Sequence, residues 1–355
     1  MTTGLRVVVT GATGNLGTSV IEALDEDPRI GSITGVARRA PEWSTPKLHM
    51  ETLDLTQAAE AELDRVLTGA DVVIHLAWAF QPTRDPVTTW RVNVLGAIRV
   101  FEAVARCEVP ALLYSSSVGA YSPGPKDRTV DEHWPTHGWP SAAYTREKSY
   151  LERFLDAFGR SNPQTRIVRI RPAFVFKREA ASEQRRIFAG PLLPTGLIRP
   201  GLVPVVPDIP GLRVQAVHSA DVGEAFRLAT LNPVRGPFNI AAEPVVDAAL
   251  LAELLGARTV PVPRWAVRPA LAAAWQLRAV PASAELFDAV VRLPLMDTMR
   301  AKTDLAWTPR YTAADAIGEF LTGLREQSGM ATPRLRSRRP GGRLGELASG
   351  VGGET

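Results

Sequence analysis

The sequence has almost no cysteine, since Cys107 is the only one among 355 residues. Internal disulfides are therefore excluded, and a reducing compartment, the cytoplasm, is expected. Long hydrophobic runs are missing too, because no stretch reaches the ~18 uncharged apolar residues that a membrane span needs. The segment 265–281 comes nearest, but Arg268, Pro269 and Arg278 interrupt it. The expectation is a cytoplasmic chain without a membrane span.

Excess charge is scarce outside the C-terminus. The formal net charge is +4, and residues 331–355 hold five arginines against two glutamates. The rest of the chain is close to neutral, which argues against a nucleic-acid-binding protein with a basic face. The five histidines show no zinc-ligand spacing, so no metal is expected. The composition of 331–355 predicts a disordered basic tail.

Strand-like and helix-like segments alternate over the first 175 residues. Short β-branched or apolar runs predict strands at 5–10, 33–37, 72–77, 111–115 and 166–170. Between them, amphipathic patterns predict helices at 16–25, 88–107 and 142–158. This alternation predicts an α/β fold, a Rossmann-like doubly wound parallel sheet.

A glycine-rich turn, TGATGNLG, joins the first strand to the first helix. Gly11 allows the tight turn, Gly14 lets the backbone approach a pyrophosphate, and Gly17 permits close packing of helix on strand. The helix N-terminus offers free N–H groups and a positive dipole end. The turn therefore predicts a dinucleotide site that includes Gly11, Thr13, Gly14, Asn15, Leu16 and Gly17.

Two further groups of residues carry chemistry. Tyr144 and Lys148 are four positions apart on a predicted helix, so they share a face. A lysine ammonium beside the phenol would lower the phenol pKa from ~10 toward the working range. Three serines, ending at Ser117, stand where a strand reaches the carboxyl edge of the sheet, the edge at which open α/β sheets bind ligands. A hydrolase is disfavoured because Ser117 lacks a Gly-x-Ser-x-Gly elbow and a paired histidine.

The Gly-x-x-Gly-x-x-Gly spacing, the Tyr-x-x-x-Lys pair and the serine-rich strand end resemble the extended short-chain dehydrogenase/reductase superfamily. Within it, the resemblance is to the NAD-dependent epimerase/dehydratase family, over about residues 5–325. It implies that Tyr144 is the acid/base, that Lys148 lowers its pKa and holds the cofactor ribose, and that Ser117 orients a carbonyl or alcohol. It also implies a backbone-bridging role for Asn93 in the catalytic set. Further implied cofactor contacts are Asp54, Leu55, Leu76, Ala77, Ser115, Tyr144, Lys148 and Pro172.

The same reasoning divides the chain. Residues 1–172 are expected to form the NAD(P)-binding Rossmann domain. Residues 173–330 are expected to be mainly a smaller substrate-binding region, with segments near 214–241 returning to the Rossmann sheet. Residues 331–355 form the predicted tail.

Cofactor preference is predicted from the end of the second strand. An acidic residue there would bind the ribose 2′-hydroxyl of NAD, whereas arginine suits the 2′-phosphate of NADP. This chain has Arg38 and Arg39 and no acid, and arginine can bind phosphate with two hydrogen bonds. NADP is therefore favoured over NAD.

Aromatic residues near the expected pocket favour a partly apolar small-molecule substrate. They are Trp78, Phe80, Trp139 and Phe174. Packing of these residues in a lid or core is the alternative. The resulting hypothesis is an NAD(P)-dependent oxidoreductase that transfers hydride to or from a carbonyl or alcohol. A nucleotide-sugar epimerase and a non-catalytic NADP-sensing regulator remain alternatives, although the Tyr/Lys pair favours an enzyme.

The predicted helix 142–158 has a second apolar stripe, formed by Ala143, Tyr150, Phe154 and Ala157. One stripe is enough to cover a sheet, so a second indicates a partner. The resemblance implies a homodimer in which this helix and helix 88–107 pair with their copies. Cover from the same chain is the alternative.

Overall fold

The structure is a computed structural model and describes residues 4–81, 83–337, 342–348 and 351. Fourteen strands occur in the described residues: β1 Leu5–Thr10, β2 Ile30–Ala37, β3 Leu48–Thr52, β4 Val72–His75, β5 Ala111–Ser115, β6 Thr129–Val130, β7 Arg166–Pro172, β8 Phe174–Phe176, β9 Val205–Asp208, β10 Val214–His218, β11 Gly236–Ile240, β12 Ala242–Val246, β13 Arg258–Pro261 and β14 Leu295–Met296.

The α-helices of the same described ranges lie between and after these strands. They are α1 Asn15–Asp25, α2 Glu60–Leu67, α3 Pro86–Trp90, α4 Gly96–Arg106, α5 Ala143–Ser161, α6 Ala181–Gln184, α7 Ser219–Leu231, α8 Ala248–Leu255, α9 Arg264–Gln276, α10 Ala284–Val290, α11 Met299–Asp304, α12 Ala313–Glu326 and α13 Gly342–Ala348. A π-helical turn, Arg91–Leu95, separates α3 from α4.

Seven parallel strands form the central sheet, in the order β11-β7-β5-β4-β1-β2-β3. Helices α1 and α7 pack on one face, and α2, α4 and α5 pack on the other. Strands with both faces covered read as continuous apolar runs; β4 and β5 have this pattern, and every residue in them is buried. The predicted doubly wound parallel sheet is confirmed.

The chain after β7 leaves and re-enters the central sheet. Strand β11 pairs with β7 and so forms one edge of it. Strand β10 instead pairs with β8 and β12 in a separate three-stranded sheet. Of the two segments expected to return near 214–241, only the later one joins the Rossmann sheet.

The C-terminal segment differs from the predicted disordered tail. Thr332 and Leu335 are completely buried, and residues 342–348 form helix α13. Composition did not predict this order because hydrogen bonds to the rest of the protein, from the backbone and from arginine side chains, hold the segment. Residues 338–341, 349–350 and 352–355 of the predicted tail lie outside the described residues.

Among the described residues, none of the helices has the length and apolar character required to cross a bilayer.

Candidate active site

The glycine loop between β1 and α1 has the geometry that a bound phosphate requires. Gly11 has a φ of +74°, and a Cβ at this position would lie 2.6 Å from the backbone N of Ala77. A Cβ on Gly17 would overlap the Gly11 carbonyl oxygen, so close packing of α1 requires glycine there. A Cβ on Gly14 would meet the Gly11 carbonyl oxygen at 3.5 Å, an ordinary contact distance, and Gly14 caps α1 without a side-chain hydrogen bond. The first N–H groups of α1 are therefore available to an anion.

A cavity begins at this loop and follows the carboxyl ends of β1, β2, β3 and β4. Its walls are Gly11, Thr13, Gly14, residues 36–39, 53–56 and 76–79, Val92, Pro333 and Arg334. Most of the residues predicted to bind the cofactor are thus brought to one cleft. The predicted contacts outside these walls are Asn15, Leu16, Gly17, Ser115, Tyr144, Lys148 and Pro172.

Two of those outer residues have other contacts. The Asn15 side chain donates to the Val175 carbonyl at 3.3 Å, and Leu16 packs against the core. Asp54, which does line the cavity, accepts hydrogen bonds from both the backbone N–H and the hydroxyl of Thr56. These hydrogen bonds close the turn after β3, and the Asp54 carboxylate remains one of the groups that form the cavity wall.

The Ser117 and Tyr144 side chains lie together just beyond β5. The Gly119 N–H donates to Ser117 Oγ at 2.9 Å. Burial raises the pKa of Tyr144 to about 12, although its hydrogen bond with Ser117 acts in the opposite direction. The phenol is therefore protonated at neutral pH and can act as a proton donor.

The Lys148 ammonium contacts groups other than the Tyr144 phenol. It donates to the Ser115 carbonyl at 2.7 Å and lies 3.5 Å from the centroid of the Trp78 ring. It also lies 3.4 Å from the Tyr114 hydroxyl. Burial lowers the pKa of Lys148 well below its usual range. Four-residue spacing places both side chains on one face of α5, but spacing alone does not determine which groups the flexible lysine contacts.

Asn93 lies in the π-helical turn and bridges to the cavity wall. Its Oδ1 accepts from the Ala79 N–H at 2.7 Å, and its Nδ2 donates to the Ala79 carbonyl at 2.9 Å. The same Nδ2 donates to Glu147 at 2.7 Å, and the Thr89 hydroxyl also donates to Glu147 at 2.7 Å. Glu147 was missed by sequence reasoning, although an acidic residue between Tyr144 and Lys148 on a packed helix was a signal. The network joins Ala79, in the cavity wall, to α5 through Asn93 and Glu147.

A second buried network was also missed. Glu152 on α5 accepts from both Nε and Nη2 of Arg171 at 2.9 Å and from the Ser116 hydroxyl at 2.5 Å. Arg169 adds a contact at 2.8 Å. Despite burial, the charges of the two arginines lower the pKa of Glu152 to about 2. The network connects β5, β7 and α5 directly beneath Ser117.

The four aromatic residues predicted to meet substrate fall into two pairs. Phe80 stacks on the Tyr144 ring with centroids 5.4 Å apart, and Trp78 contacts it edge-on at 5.7 Å. Phe188 lies 6.0 Å from Phe80 and extends this apolar wall. In contrast, Trp139 packs on the Arg292 guanidinium at 4.4 Å, and Phe174 packs against the core. Trp78 and Phe80 thus lie at Tyr144, and within the described ranges neither Trp139 nor Phe174 makes a ring contact with it.

Arg38 and Arg39 follow β2 and line the cavity as exposed side chains. Neither arginine forms an ion pair with any residue that the structure describes. Both guanidinium groups are therefore available to an anionic ligand.

Comparison with known proteins agrees with this geometry. Residues 7–241 match the model of the NAD dependent epimerase/dehydratase family. An uncharacterised protein of Mycobacterium tuberculosis is 24% identical over 335 residues, which cover 89% of this chain and 83% of that protein. A uronate dehydrogenase of Pseudomonas syringae is 27% identical over 173 residues, 48% of this chain and 60% of that enzyme.

Solved structures share the fold. A UDP-glucose 4-epimerase of Thermus thermophilus in complex with NAD superposes with a TM-score of 0.67 at 20% identity. The superposition covers 90% of this chain and 99% of that one. A UDP-glucose 4-epimerase of Thermotoga maritima with UDP-glucose gives a TM-score of 0.66 at 18% identity over 91% of this chain and 99% of that chain.

Proposed function

Because the chain belongs to the NAD dependent epimerase/dehydratase family, and is thus an NAD-dependent enzyme of the short-chain dehydrogenase/reductase type, we propose that it is an NADP(H)-preferring oxidoreductase. Its reaction interconverts a carbonyl and an alcohol on a partly apolar small molecule. The observation that carries the proposal is the position of Tyr144, which hydrogen-bonds with Ser117 and stacks on Phe80.

The cavity that begins at the glycine loop would receive the cofactor. Gly11, Gly14 and the N-terminus of α1 would hold its pyrophosphate, and Arg38 and Arg39 would hold a 2′-phosphate. When bound, the nicotinamide ring supplies the hydride that adds to the carbonyl carbon. Lys148 and Asn93 complete the set implied by the family resemblance, and Asn93 acts by joining Ala79 to α5 rather than by touching the substrate.

Tyr144 supplies the proton. Its pKa, raised to about 12 by burial, keeps the phenol protonated, so in the reductive direction it can give its proton to the carbonyl oxygen as charge develops there. Ser117 orients that oxygen. Because Ser117 Oγ already accepts the Gly119 N–H, the hydroxyl hydrogen is free to be donated to Tyr144 or to a substrate oxygen.

An apolar wall favours a substrate with an apolar part. Phe80 and Phe188 continue outward from Tyr144, and 39% of the surface of Phe188 is exposed. An apolar group beside the reacting carbonyl would cover this surface from water, which is favourable at roughly 25 cal/mol per Å².

Nucleotide-sugar epimerisation is the second candidate, since the solved structures with this fold include UDP-glucose 4-epimerases. Both reactions use Ser117 and Tyr144. A screen distinguishes them: aryl and alkyl ketones and the matching alcohols are incubated with NADPH or NADP⁺ and followed by cofactor absorbance. UDP-sugars are incubated in parallel and followed by NMR. Oxidoreductase activity predicts net cofactor turnover with a carbonyl compound; epimerised sugar without net turnover would overturn it.

A further inference from the structure

The C-terminal segment 331–337, which we term the strap, crosses the cofactor cavity. The carbonyl of Ala331 accepts the N–H groups of Glu42 and Trp43, at 3.1 and 3.0 Å. The Thr332 hydroxyl donates to the Thr13 carbonyl in the glycine loop at 2.9 Å. Pro333 and Arg334 then form part of the cavity wall. The strap thus extends from the chain after β2 to the glycine loop.

The Arg334 side chain spans the cavity toward the other wall. Its Nη2 donates to the Trp78 carbonyl at 3.3 Å, and its Nε lies 3.0 Å from Glu183. Its Nη1 is shielded from solvent and has no hydrogen-bond partner among the described residues. A buried guanidinium nitrogen without a partner is costly, because the desolvation of a charged group is then not compensated.

Positively charged neighbours make the unpartnered guanidinium nitrogen of Arg334 still less favourable. Arg38 and Arg39 line the same cavity, and burial together with these two positive charges lowers the pKa of Arg334. Glu183 opposes the charge of Arg334, and Asp54 adds a second carboxylate in the cavity wall. Three guanidinium groups therefore converge on a cavity that begins at a helix N-terminus. Such a site has an excess of positive potential, which an anion would neutralise.

We propose that Arg334 is a ligand of the cofactor pyrophosphate, contributed by a segment outside the family-matched residues 7–241. The pyrophosphate, rather than the 2′-phosphate, is indicated because the strap contacts Thr13 of the glycine loop and Trp78 after β4. In a dinucleotide fold the glycine loop holds the pyrophosphate, whereas the ribose lies at the end of the second strand. The inference rests on cofactor binding in this cleft, which the proposed function shares, and not on the preference for NADP.

The test is a calorimetric titration of the full-length protein with NADH and, separately, with NADPH. Arg334→Gln should weaken binding of both cofactors by the same factor, roughly 10- to 100-fold, because both contain the pyrophosphate. Arg334→Lys, which keeps the charge, should recover part of the loss. Arg38→Gln should weaken NADPH alone. Equal affinity of the wild type for the two cofactors would contradict the NADP preference and leave the Arg334 result interpretable.

A control variant separates ligand binding from anchoring of the strap. Arg336 lies on the strap but contacts exposed Glu42, so Arg336→Ala should keep wild-type affinity. The proposal is overturned if Arg334→Gln binds both cofactors like the wild type, if it weakens NADPH alone, or if Arg336→Ala causes an equal loss.

Discussion

Gly119 leaves no room for a side chain against Tyr144: a Cβ at Gly119 would lie 2.7 Å from Cε1 of the Tyr144 ring. The same Cβ would lie 3.3 Å from Ser117 Oγ. The glycine after the serine run is therefore part of how the two side chains are brought together, although it carries no functional group.

The first prediction concerns this contact. Gly119→Ala should displace the Tyr144 ring and lower kcat about 10²-fold, since small displacements of a positioned group are costly. A cofactor titration should remain near the wild type because Gly119 is not in the cavity wall. Gly196→Ala, at a glycine where a Cβ meets nothing within 4 Å, is the matched control. A Gly119→Ala enzyme with wild-type kcat would contradict the tight packing.

The second prediction concerns the proton donor. Tyr144→Phe should keep cofactor affinity and thermal stability but lower turnover by ~10²–10⁴-fold, the usual contribution of general acid–base catalysis. Tyr150→Phe removes the same hydroxyl from an exposed position on α5 and should turn over normally. Steady-state kinetics with a substrate from the screen measures both; equal rates for Tyr144→Phe and wild type would reject the assignment.

The third prediction concerns cofactor choice. Arg38 and Arg39 lie where the 2′-phosphate would bind, so NADPH should bind about tenfold or more tightly than NADH, since a charge-assisted hydrogen bond contributes about 1.5–3 kcal/mol. The Arg38→Gln/Arg39→Gln variant should bind the two with similar affinity. Raising the salt concentration should weaken NADPH binding more than NADH binding, because exposed charges are screened.

The fourth prediction concerns acid stability. His75 is buried beside Thr10, and burial lowers its pKa from 6.5 to about 3. Between pH 3 and pH 6.5, His75 is protonated in the unfolded chain but neutral in the folded protein. The free energy of unfolding therefore falls as pH decreases from 6.5 toward 3. At pH 5 this amounts to about 2 kcal/mol.

Urea unfolding between pH 7 and pH 5 measures this effect. His75→Gln should show a smaller decrease in the free energy of unfolding than the wild type over this range. His49→Gln, at an exposed histidine, should follow the wild-type pH dependence. Parallel curves for wild type and His75→Gln would show that His75 does not cause the loss.

The fifth prediction concerns self-association, which we propose occurs through α3, α4 and α5. Val87, Leu95 and Tyr150 are 66, 47 and 43% exposed, and Trp90 packs against Tyr150 with centroids 4.9 Å apart. A two-fold dimer would cover this apolar surface. Phe154 is a less suitable position for a substitution that tests this interface, because it packs against Phe101 and Phe158 of its own chain.

Leu95→Glu should therefore dissociate a wild-type dimer in sedimentation equilibrium at micromolar concentration. Trp265→Glu changes an apolar side chain that is 79% exposed on α9 and should leave the dimer intact. A monomeric wild type would reject the proposed interface.

Local patterns predicted the central sheet, and nine of the sixteen residues predicted to bind the cofactor line one cleft. The glycine loop requires a particular backbone geometry at Gly11 and close packing at Gly17. Both requirements are met by glycine, so they can be recognised in the sequence. The predicted single helix 88–107 was less accurate, because the π-helical turn at Asn93 inserts one residue that hydrophobic periodicity does not resolve.

Other parts of the site depend on long-range contacts that no local pattern encodes. The Lys148 ammonium turns toward Trp78 and Ser115, residues distant in sequence. Arg334 meets the cavity more than 300 residues after the glycine loop. Its segment looked disordered because polar and arginine-rich composition is typical of disordered tails, and its contacts become visible only in the folded chain.

Strand β11 and helix α7 have a consequence for synthesis on the ribosome. The edge of the central sheet is completed by residues 236–240, and α7 packs on α1 so closely that a Cβ at Gly223 would lie 2.5 Å from the Ser19 carbonyl oxygen. In a nascent chain that has emerged only to residue 172, α1 covers one face of the sheet without α7, and the edge at β7 lacks its neighbour β11. The central sheet is therefore complete only after about seventy further residues have been synthesised, which takes several seconds at 5–20 residues per second.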